Sequence, residues 1–204
     1  MAKAKSVFFC QNCGAESSKW MGRCPQCGEW NTLVEEIIKE TKHSRTPSRG
    51  VGNQTTKPTA LPDIEISSIA RVSTTFGEID RVLGGGIVPG ALMLLGGDPG
   101  IGKSTLLLQV SQKVADTVGT VLYASGEESQ LQLKIRAERL HINSERLQVI
   151  ADTDLDHILE QADAMTPSLL VIDSIQTMYT GDIDAAPGSV SQVRECTSRL
   201  LRFC

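Results

Sequence analysis

One glycine-rich stretch of the chain has the residue types and spacing of a phosphate-binding loop. Residues 97–105 read GDPGIGKST and fit G-x-x-x-x-G-K-[ST] at every required position. The apolar run 91–95 before it predicts a buried strand, and the run 106–110 after it continues a helix. Glycines let backbone N–H groups approach phosphate oxygens, and a helix N-terminus favours negative charge. The predicted nucleotide-binding residues are Gly97, Asp98, Pro99, Gly100, Ile101, Gly102, Lys103, Ser104 and Thr105.

Three of the polar side chains have predicted roles toward ATP and its Mg²⁺. Lys103 is expected to be catalytic through contact with the β- and γ-phosphates, and Ser104 is expected to bind Mg²⁺. Asp173 ends the apolar run 169–173, which resembles a Walker B strand. Such a strand places its carboxylate at the carboxyl edge of the sheet, so Asp173 is predicted to hold the same Mg²⁺ through water.

Two glutamates after another strand signal are candidates for the catalytic base. Glu127 and Glu128 follow the apolar run 120–124. A carboxylate at that edge can polarise the water that attacks the γ-phosphate, and one of the two is predicted to do so. The alternative is that these acids only begin a helix, where negative charge suits the dipole. Both can hold, with Glu127 as the base and Glu128 as the helix cap.

Four of the six cysteines form two C-x-x-C pairs, each followed by glycine. This pattern predicts a zinc site, since a two-residue gap lets both thiolates face one ion. Two disulfides are the alternative, and a cytosolic chain disfavours them. Metal binding would supply the folding energy of this small segment. The predicted zinc ligands are Cys10, Cys13, Cys24 and Cys27.

The only two tryptophans, Trp20 and Trp30, flank the second cysteine pair. The favoured prediction is that they cover the zinc site as its small core, with base stacking as the alternative.

Composition and charge restrict the class of protein. The chain has 204 residues, 40% of them hydrophobic, with a net charge of −4. No apolar run is long enough for a membrane span or a signal peptide, so the expectation is a cytoplasmic protein with no membrane partner. The charge is uneven: residues 1–60 hold nine Lys/Arg and five Glu, whereas residues 61–204 hold eleven Lys/Arg and nineteen Asp/Glu. Electrostatic attraction to nucleic acid is therefore expected first in the N-terminal part. The favoured alternative is a solvated, mildly basic linker with no partner, which gives the same count.

Three regions are predicted from these patterns. Residues 1–38 form the four-cysteine zinc module, residues 39–66 a polar linker, and residues 67–204 a nucleotide-binding domain. The last region alternates strand and helix signals, which indicates an α/β fold with a parallel sheet and helices on both faces. Its predicted strands are 91–95, 120–124, 147–150 and 169–173. Its predicted helices include 74–83, 128–140 with Leu131 and Ile135 at helical spacing, and an amphipathic helix from 190. A further helix is predicted from Leu155, Ile158, Leu159 and Ala162, which mark one apolar face.

The chain resembles the bacterial RadA (Sms) family of DNA repair proteins. The shared motifs are CxxCG at 10–14, WxGxCPxCGxWNT at 20–32, LGGGIVPG at 83–90, the phosphate loop, GEES at 126–129, VIDSIQ at 171–176 and APGSVxQVRE at 186–195. The resemblance implies a RecA-like, DNA-dependent ATPase that processes branched recombination intermediates by branch migration. It also implies single-stranded or branched DNA, recombinase filaments and a homo-oligomeric ring as partners.

The family pattern continues beyond the residues present here. Its Lys-Asn-Arg-Phe-Gly motif is absent, so the expectation is a truncated RecA-like domain that is not a working ATPase alone. Helix 190–203 is expected to leave an apolar face exposed. Two other classes remain open: a P-loop phosphotransferase or signalling switch, and a non-catalytic zinc adaptor.

Overall fold

The computed structural model describes residues 5–38, 60–63 and 71–204. Apart from residues 60–63, the predicted linker 39–66 lies outside the described residues. Within the part described, no helix is long and apolar enough to cross a membrane.

The N-terminal segment is a small antiparallel sheet. Its strands are β1 (Lys5–Cys10), β2 (Glu16–Ser17) and β3 (Leu33–Ile38). Strand β1 lies between the other two, and Cys10 at its end pairs with Leu33 at the start of β3. The core of this segment is small and consists largely of Cys10, Cys24 and Leu33, with Phe8, Ala15 and Cys27 packed against them.

The second region alternates helices and strands as the sequence predicts. Its helices are α1 (Gly77–Val82), α2 (Lys103–Thr117), α3 (Gln130–Arg139), α4 (Leu155–Met165) and α5 (Val190–Phe203). Its strands are β4 (Val121–Ser125), β5 (Leu147–Ala151), β6 (Leu169–Asp173) and the short β7 (Ile183–Asp184).

Strand β4 is the centre of a parallel sheet of order β5-β4-β6. Val121 at its start pairs with Leu147 on one side and Leu169 on the other, so the three strands end at one edge. All five residues of β4 are buried, which explains its nearly continuous apolar sequence.

Helices cover both faces of this sheet. Since alternate residues of β4 point to opposite sides, neighbouring residues of the strand pack against different helices. Tyr123 belongs to a buried cluster with Leu108 of α2 and Leu133 of α3. Ala124 belongs to a second cluster with Ile158 of α4 and Cys196 of α5. The predicted three-layer α/β arrangement is therefore present.

The structure has no strand at residues 91–95, and the prediction of a strand there is wrong. Leu94 is 87% exposed, and Ala91 makes only a turn hydrogen bond to Val88. A strand needs a hydrogen-bonded neighbour, and β6 pairs only with β4 in the described part of the chain.

Helix α1 is shorter than the predicted helix 74–83. The carboxylate of Asp80 accepts hydrogen bonds from the hydroxyls of Ser73 and Thr74, at 2.6 and 2.7 Å, and from the Thr74 backbone N–H. These bonds hold residues 74–76 in a turn, and the helix begins at Gly77.

Helix α3 buries a different side from the one its apolar spacing indicates. Leu131 and Ile135 are 70% and 52% exposed, whereas Leu133 is buried. Ser129 fixes the start of the helix through a capping box with Gln132. In α4, by contrast, the predicted apolar face is buried.

Helix α5 is mostly covered, which corrects the expectation of an exposed apolar face. Cys196 and Leu200 pack in the second cluster, and the exposed large apolar side chains of the helix are Leu201 and Phe203 at its end. Gln192 on the same helix is buried, and its Nε2 donates to the carbonyls of residues 180, 183 and 185.

The N-terminal sheet also contacts α5 and β7. Strand β7 pairs with the end of β3, and the Arg194 guanidinium donates to the Gly14 carbonyl at 3.1 Å. Arg194 also lies 3.6 Å from the Glu16 carboxylate.

Candidate functional site

The two C-x-x-C pairs form two tight turns of the same kind. In the first, Gly14 N–H donates to the Cys10 carbonyl at 2.8 Å, and in the second Gly28 N–H donates to the Cys24 carbonyl at 3.0 Å. Both glycines have a positive φ, 73° and 78°, which residues with a side chain adopt at a cost. The glycine after each pair is therefore required for the turn that brings its two thiols to one side.

The four thiols converge on one point. Cys10 Sγ lies 3.7 Å from Cys27 Sγ, Cys13 Sγ lies 3.6 Å from Cys24 Sγ, and all four atoms lie within 4.8 Å of one another. A tetrahedron of sulfurs around zinc, with Zn–S near 2.3 Å, has edges of about 3.8 Å. The thiols are free, so this geometry fits a structural Zn²⁺ and not a pair of disulfides.

The Thr32 hydroxyl supports the thiolate form of one ligand. It lies 3.2 Å from Cys10 Sγ, and this hydrogen bond is the largest of several effects that lower the pKa of the thiol. Since zinc binds the thiolate, Cys10 is prepared for coordination near neutral pH.

The tryptophans do not form the core of this module, and that prediction is wrong. Trp20 is 59% exposed and Trp30 is 67% exposed. Cys10, Cys24 and Leu33 form the interior of the module instead.

The phosphate loop lies directly before α2, as predicted. Gly100 and Gly102 have φ of 80° and 105°, and Gly102 is the residue that caps the helix N-terminus. Lys103 Nζ donates to the carbonyls of Gly97 at 2.8 Å and Asp98 at 3.0 Å, so its ammonium group lies over the loop. Residues 97–102 are all exposed, which leaves their backbone open to a ligand.

Helix α2 directs the loop toward the carboxyl edge of the sheet. It packs against β4, β5 and β6, and three residues connect its C-terminus to the start of β4. Its 15 residues make it about 22 Å long, enough to run the length of a five-residue strand. Its N-terminus, with Lys103 and Ser104, therefore lies toward the edge at which Asp173 ends β6.

Asp173 has a buried partner that the sequence analysis missed. The Tyr123 hydroxyl donates to Asp173 Oδ2 at 2.5 Å. Burial, and next the hydrogen bond to Asp173, raise the pKa of Tyr123 far above its usual value, so the phenol stays protonated and acts as a donor. The bond fixes one carboxylate oxygen of Asp173. The sequence indicates this pair only in that Tyr123 and Asp173 lie in two predicted strands, and these strands are neighbours in the sheet.

Ser174 connects the two halves of the edge. Its hydroxyl donates to Glu127 Oε1 at 2.8 Å, which links the residue after β6 to the loop after β4. Gly126 permits this approach, because a Cβ there would overlap the Thr177 hydroxyl. Glu127 is exposed, and Asp173, the residue directly before Ser174, is partly buried.

Glu128 has a different environment from Glu127. Its carboxylate forms an ion pair with Arg136 of α3, and both side chains are only partly exposed. It is not the cap of α3, because Ser129 occupies that position. The carboxylate of Glu128 is thus neutralised, whereas that of Glu127 faces the edge.

A further carboxylate follows β5 at the same edge. Asp152 Oδ2 lies 2.6 Å from His157 Nδ1, and Asp152 Oδ1 accepts from two backbone N–H groups. The bond to Asp152 raises the pKa of His157. The pKa of Asp152 is lowered, first by the N–H of Asp154 and next by His157.

The fold and these two sites define a class: a P-loop nucleotide-binding α/β domain preceded by a four-cysteine metal ribbon. Comparison with protein families agrees. A model described as an AAA domain matches residues 55–204, and one described as a rubredoxin metal binding domain matches residues 8–35. The chain therefore belongs to the AAA domain family.

Its curated relatives include proteins named DNA repair protein RadA. The chain is 56% identical over 204 residues to that of Bacillus subtilis (strain 168) and 52% identical over 205 residues to that of Listeria monocytogenes serovar 1/2a. A third, from Streptococcus pyogenes serotype M1, is 49% identical over 204 residues. All of this chain is covered in each case, but it spans only 44% of each relative's length. The resemblance predicted from the motifs is confirmed.

Proposed function

We propose that this chain belongs to a DNA-dependent ATPase of DNA repair that processes branched recombination intermediates by branch migration. The observation that carries the proposal is the joint presence of the phosphate loop, the Glu127–Ser174 pair and the four-thiol cluster in one chain. The relatives named RadA support the DNA repair role.

Each polar group of the nucleotide site has a proposed role. The backbone of residues 97–105 binds the phosphates, and Lys103 leaves the carbonyls of the loop to contact the β- and γ-phosphates. Ser104 and Asp173 hold Mg²⁺, with Tyr123 orienting the carboxylate. A metal ion bound there would neutralise charge on the phosphates.

Glu127 is the proposed general base. It is exposed at the edge, one of its oxygens is held by Ser174, and no described cation neutralises it. Water attacks the γ-phosphorus, the bond to the ADP oxygen breaks, and the proton of the water passes to Glu127. Glu128 is assigned a structural role because Arg136 pairs with it.

The proposed partners follow the same assignment. Besides ATP and single-stranded or branched DNA, they are a recombinase filament and further copies of the chain in a ring. The proposed organisation is a zinc module at 1–38, a linker at 39–66 and the ATPase domain from 67, all in the cytoplasm.

A phosphotransferase or signalling switch is the second candidate, since it uses the same loop. The Glu127–Ser174 pair is compatible with both reactions, because a carboxylate base can accept the proton of water or of an acceptor hydroxyl. A non-catalytic adaptor is disfavoured by the two buried clusters of residues 71–204, which are those of a folded domain.

The test separates nucleotide binding from turnover. The 204-residue chain is expected to bind ATP in the presence of Mg²⁺, measured by equilibrium dialysis, and Lys103→Ala is expected to abolish binding. Lys134→Ala is the control, because Lys134 is an exposed lysine of α3 outside the site. Steady-state phosphate release by a family-length protein should rise with single-stranded DNA, whereas the 204-residue chain alone should show little turnover. Phosphate transfer to another acceptor without DNA stimulation would favour the phosphotransferase instead.

A further inference from the structure

The chain's only two tryptophans form an exposed patch on the metal ribbon. We call Trp20, Met21, Arg23 and Trp30 the tryptophan patch. The indoles are 59% and 67% exposed, and Met21 is 37% exposed. Large aromatic side chains are rarely left in solvent side by side without a partner. The module does not need them for its interior, which the cysteines and Leu33 fill.

The two rings meet over a glycine. A Cβ built on Gly22 would lie 3.6 Å from Cζ3 of Trp30 and 3.8 Å from Cη2 of Trp20. Both indoles thus border the same point beside Gly22.

The backbone beneath the patch is held firmly by hydrogen bonds. Asn31 N–H donates to the Gly22 carbonyl and Cys24 N–H to the Glu29 carbonyl, both at 2.8 Å. Arg23 Nε donates to the Gly28 carbonyl at 2.7 Å. Because Cys24 is also one of the four converging thiols, the hairpin that carries both indoles is tied to the metal site.

Positive charge accompanies the aromatic faces. The Arg23 guanidinium lies 5.9 Å from the Trp30 ring centroid, and the exposed Lys19 precedes Trp20. Residues 17–28 contain these two cations and no acid, and Glu29 is the first carboxylate beyond them. Exposed rings beside cations are the combination that binds single-stranded nucleic acid, since bases stack on the rings and phosphates pair with the cations.

We infer that the tryptophan patch is a stacking site for the bases of single-stranded DNA, with Lys19 and Arg23 contacting the adjacent phosphates. This inference rests on the proposed function and adds to it the surface that touches the DNA. An apolar protein segment would match the rings but not the two cations, and for this reason we assign the patch to DNA.

Intrinsic fluorescence reports directly on this site, because both tryptophans of the chain belong to it. Titration of the zinc-loaded 204-residue chain with a short oligothymidine is expected to quench the tryptophan emission. Anisotropy of a labelled oligothymidine then measures the affinity of variants. Trp30→Ala should weaken binding by about five- to 150-fold, the range given by the loss of one stacked base, and Trp30→Phe should retain most of the affinity.

Arg23→Ala should weaken binding and reduce the salt slope of the affinity by about 1. Two exposed residues of α3 provide matched controls: Lys134→Ala for charge and Ile135→Ala for apolar surface, and both should bind as the unmodified chain does. Zinc content and circular dichroism show that each variant is folded.

The outcomes separate this inference from the proposed function. Binding without quenching, with Trp30→Ala and Trp20→Ala as tight as the unmodified chain, overturns the tryptophan patch and leaves a DNA-binding protein. No binding in either measurement overturns the tryptophan patch, whereas the proposed function is overturned only if single-stranded DNA fails to raise phosphate release by the family-length protein. Tighter binding to oligouridine than to oligothymidine overturns the assignment to DNA.

Discussion

Replacing the carboxylate by an amide should slow ATP hydrolysis when it is made at Glu127 and should lower the stability of the fold when it is made at Glu128. Glu127 is exposed and makes one side-chain bond, to Ser174, so Glu127→Gln should change the free energy of unfolding by no more than about 0.5 kcal/mol. If it is the base, hydrolysis should fall by about 10²- to 10⁴-fold. That loss corresponds to about 3 to 5 kcal/mol on the barrier. ATP binding should be retained.

Glu128→Gln should affect stability instead. The change removes the charge paired with Arg136, whose side chain is 33% exposed while that of Glu128 is 25% exposed. Solvent screens such a pair in part, so we expect a loss of about 1 kcal/mol. For a chain of this size the melting temperature should fall by about 2–4 °C.

The assay is single-turnover ATP hydrolysis by the family-length protein, with ATP binding and thermal unfolding measured on the same preparations. The reasoning is refuted if Glu127→Gln hydrolyses ATP at the unmodified rate while Glu128→Gln binds ATP and fails to hydrolyse it. Equal loss in both variants would show that the Arg136 pair opens during turnover.

Three further outcomes are expected. The chain purified without added metal should hold close to one Zn²⁺ by elemental analysis, and Cys10→Ser should unfold the ribbon; substantially less zinc with oxidised cysteines would contradict the site. Tyr123→Phe should raise the Mg²⁺ concentration needed for ATP binding by about tenfold, because Tyr123 orients the carboxylate of Asp173 through a hydrogen bond. An unchanged Mg²⁺ titration would show that this hydrogen bond does not orient the carboxylate for the metal. The bond to Asp152 raises the pKa of His157. The stability that this bond gives the folded chain is therefore complete below the ordinary histidine pKa of about 6.5, and it is lost as pH rises through the raised pKa. His157→Ala should flatten the decline of melting temperature with rising pH. Parallel curves of melting temperature against pH for the variant and the unmodified chain would contradict the role given to the bond between His157 and Asp152.

Both binding motifs could be predicted from the sequence because their chemistry is local. The phosphate loop needs glycines and a lysine within nine residues, and the metal ribbon needs thiols two residues apart. The parallel strands β4, β5 and β6 were also predictable, since buried strands are short apolar runs bounded by helices. The buried face of α4 follows from the spacing of Leu155, Ile158 and Ala162.

Local patterns failed wherever a neighbouring element decides the outcome. Residues 91–95 have the composition of a buried strand, but a strand exists only beside another that accepts its hydrogen bonds. Leu131 and Ile135 have helical spacing, yet the capping box at Ser129 and the packing of Leu133 turn them to solvent.

The sequence by itself determined which groups can bind phosphate and metal, since those properties belong to residue types at short spacing. Only the tertiary structure distinguished Glu127 from Glu128, because their difference is the presence of Ser174 beside one and Arg136 beside the other. It alone also placed Trp20 and Trp30 in solvent. Whether an apolar or charged side chain is structural or free depends on what lies against it, and that is set by distant parts of the chain.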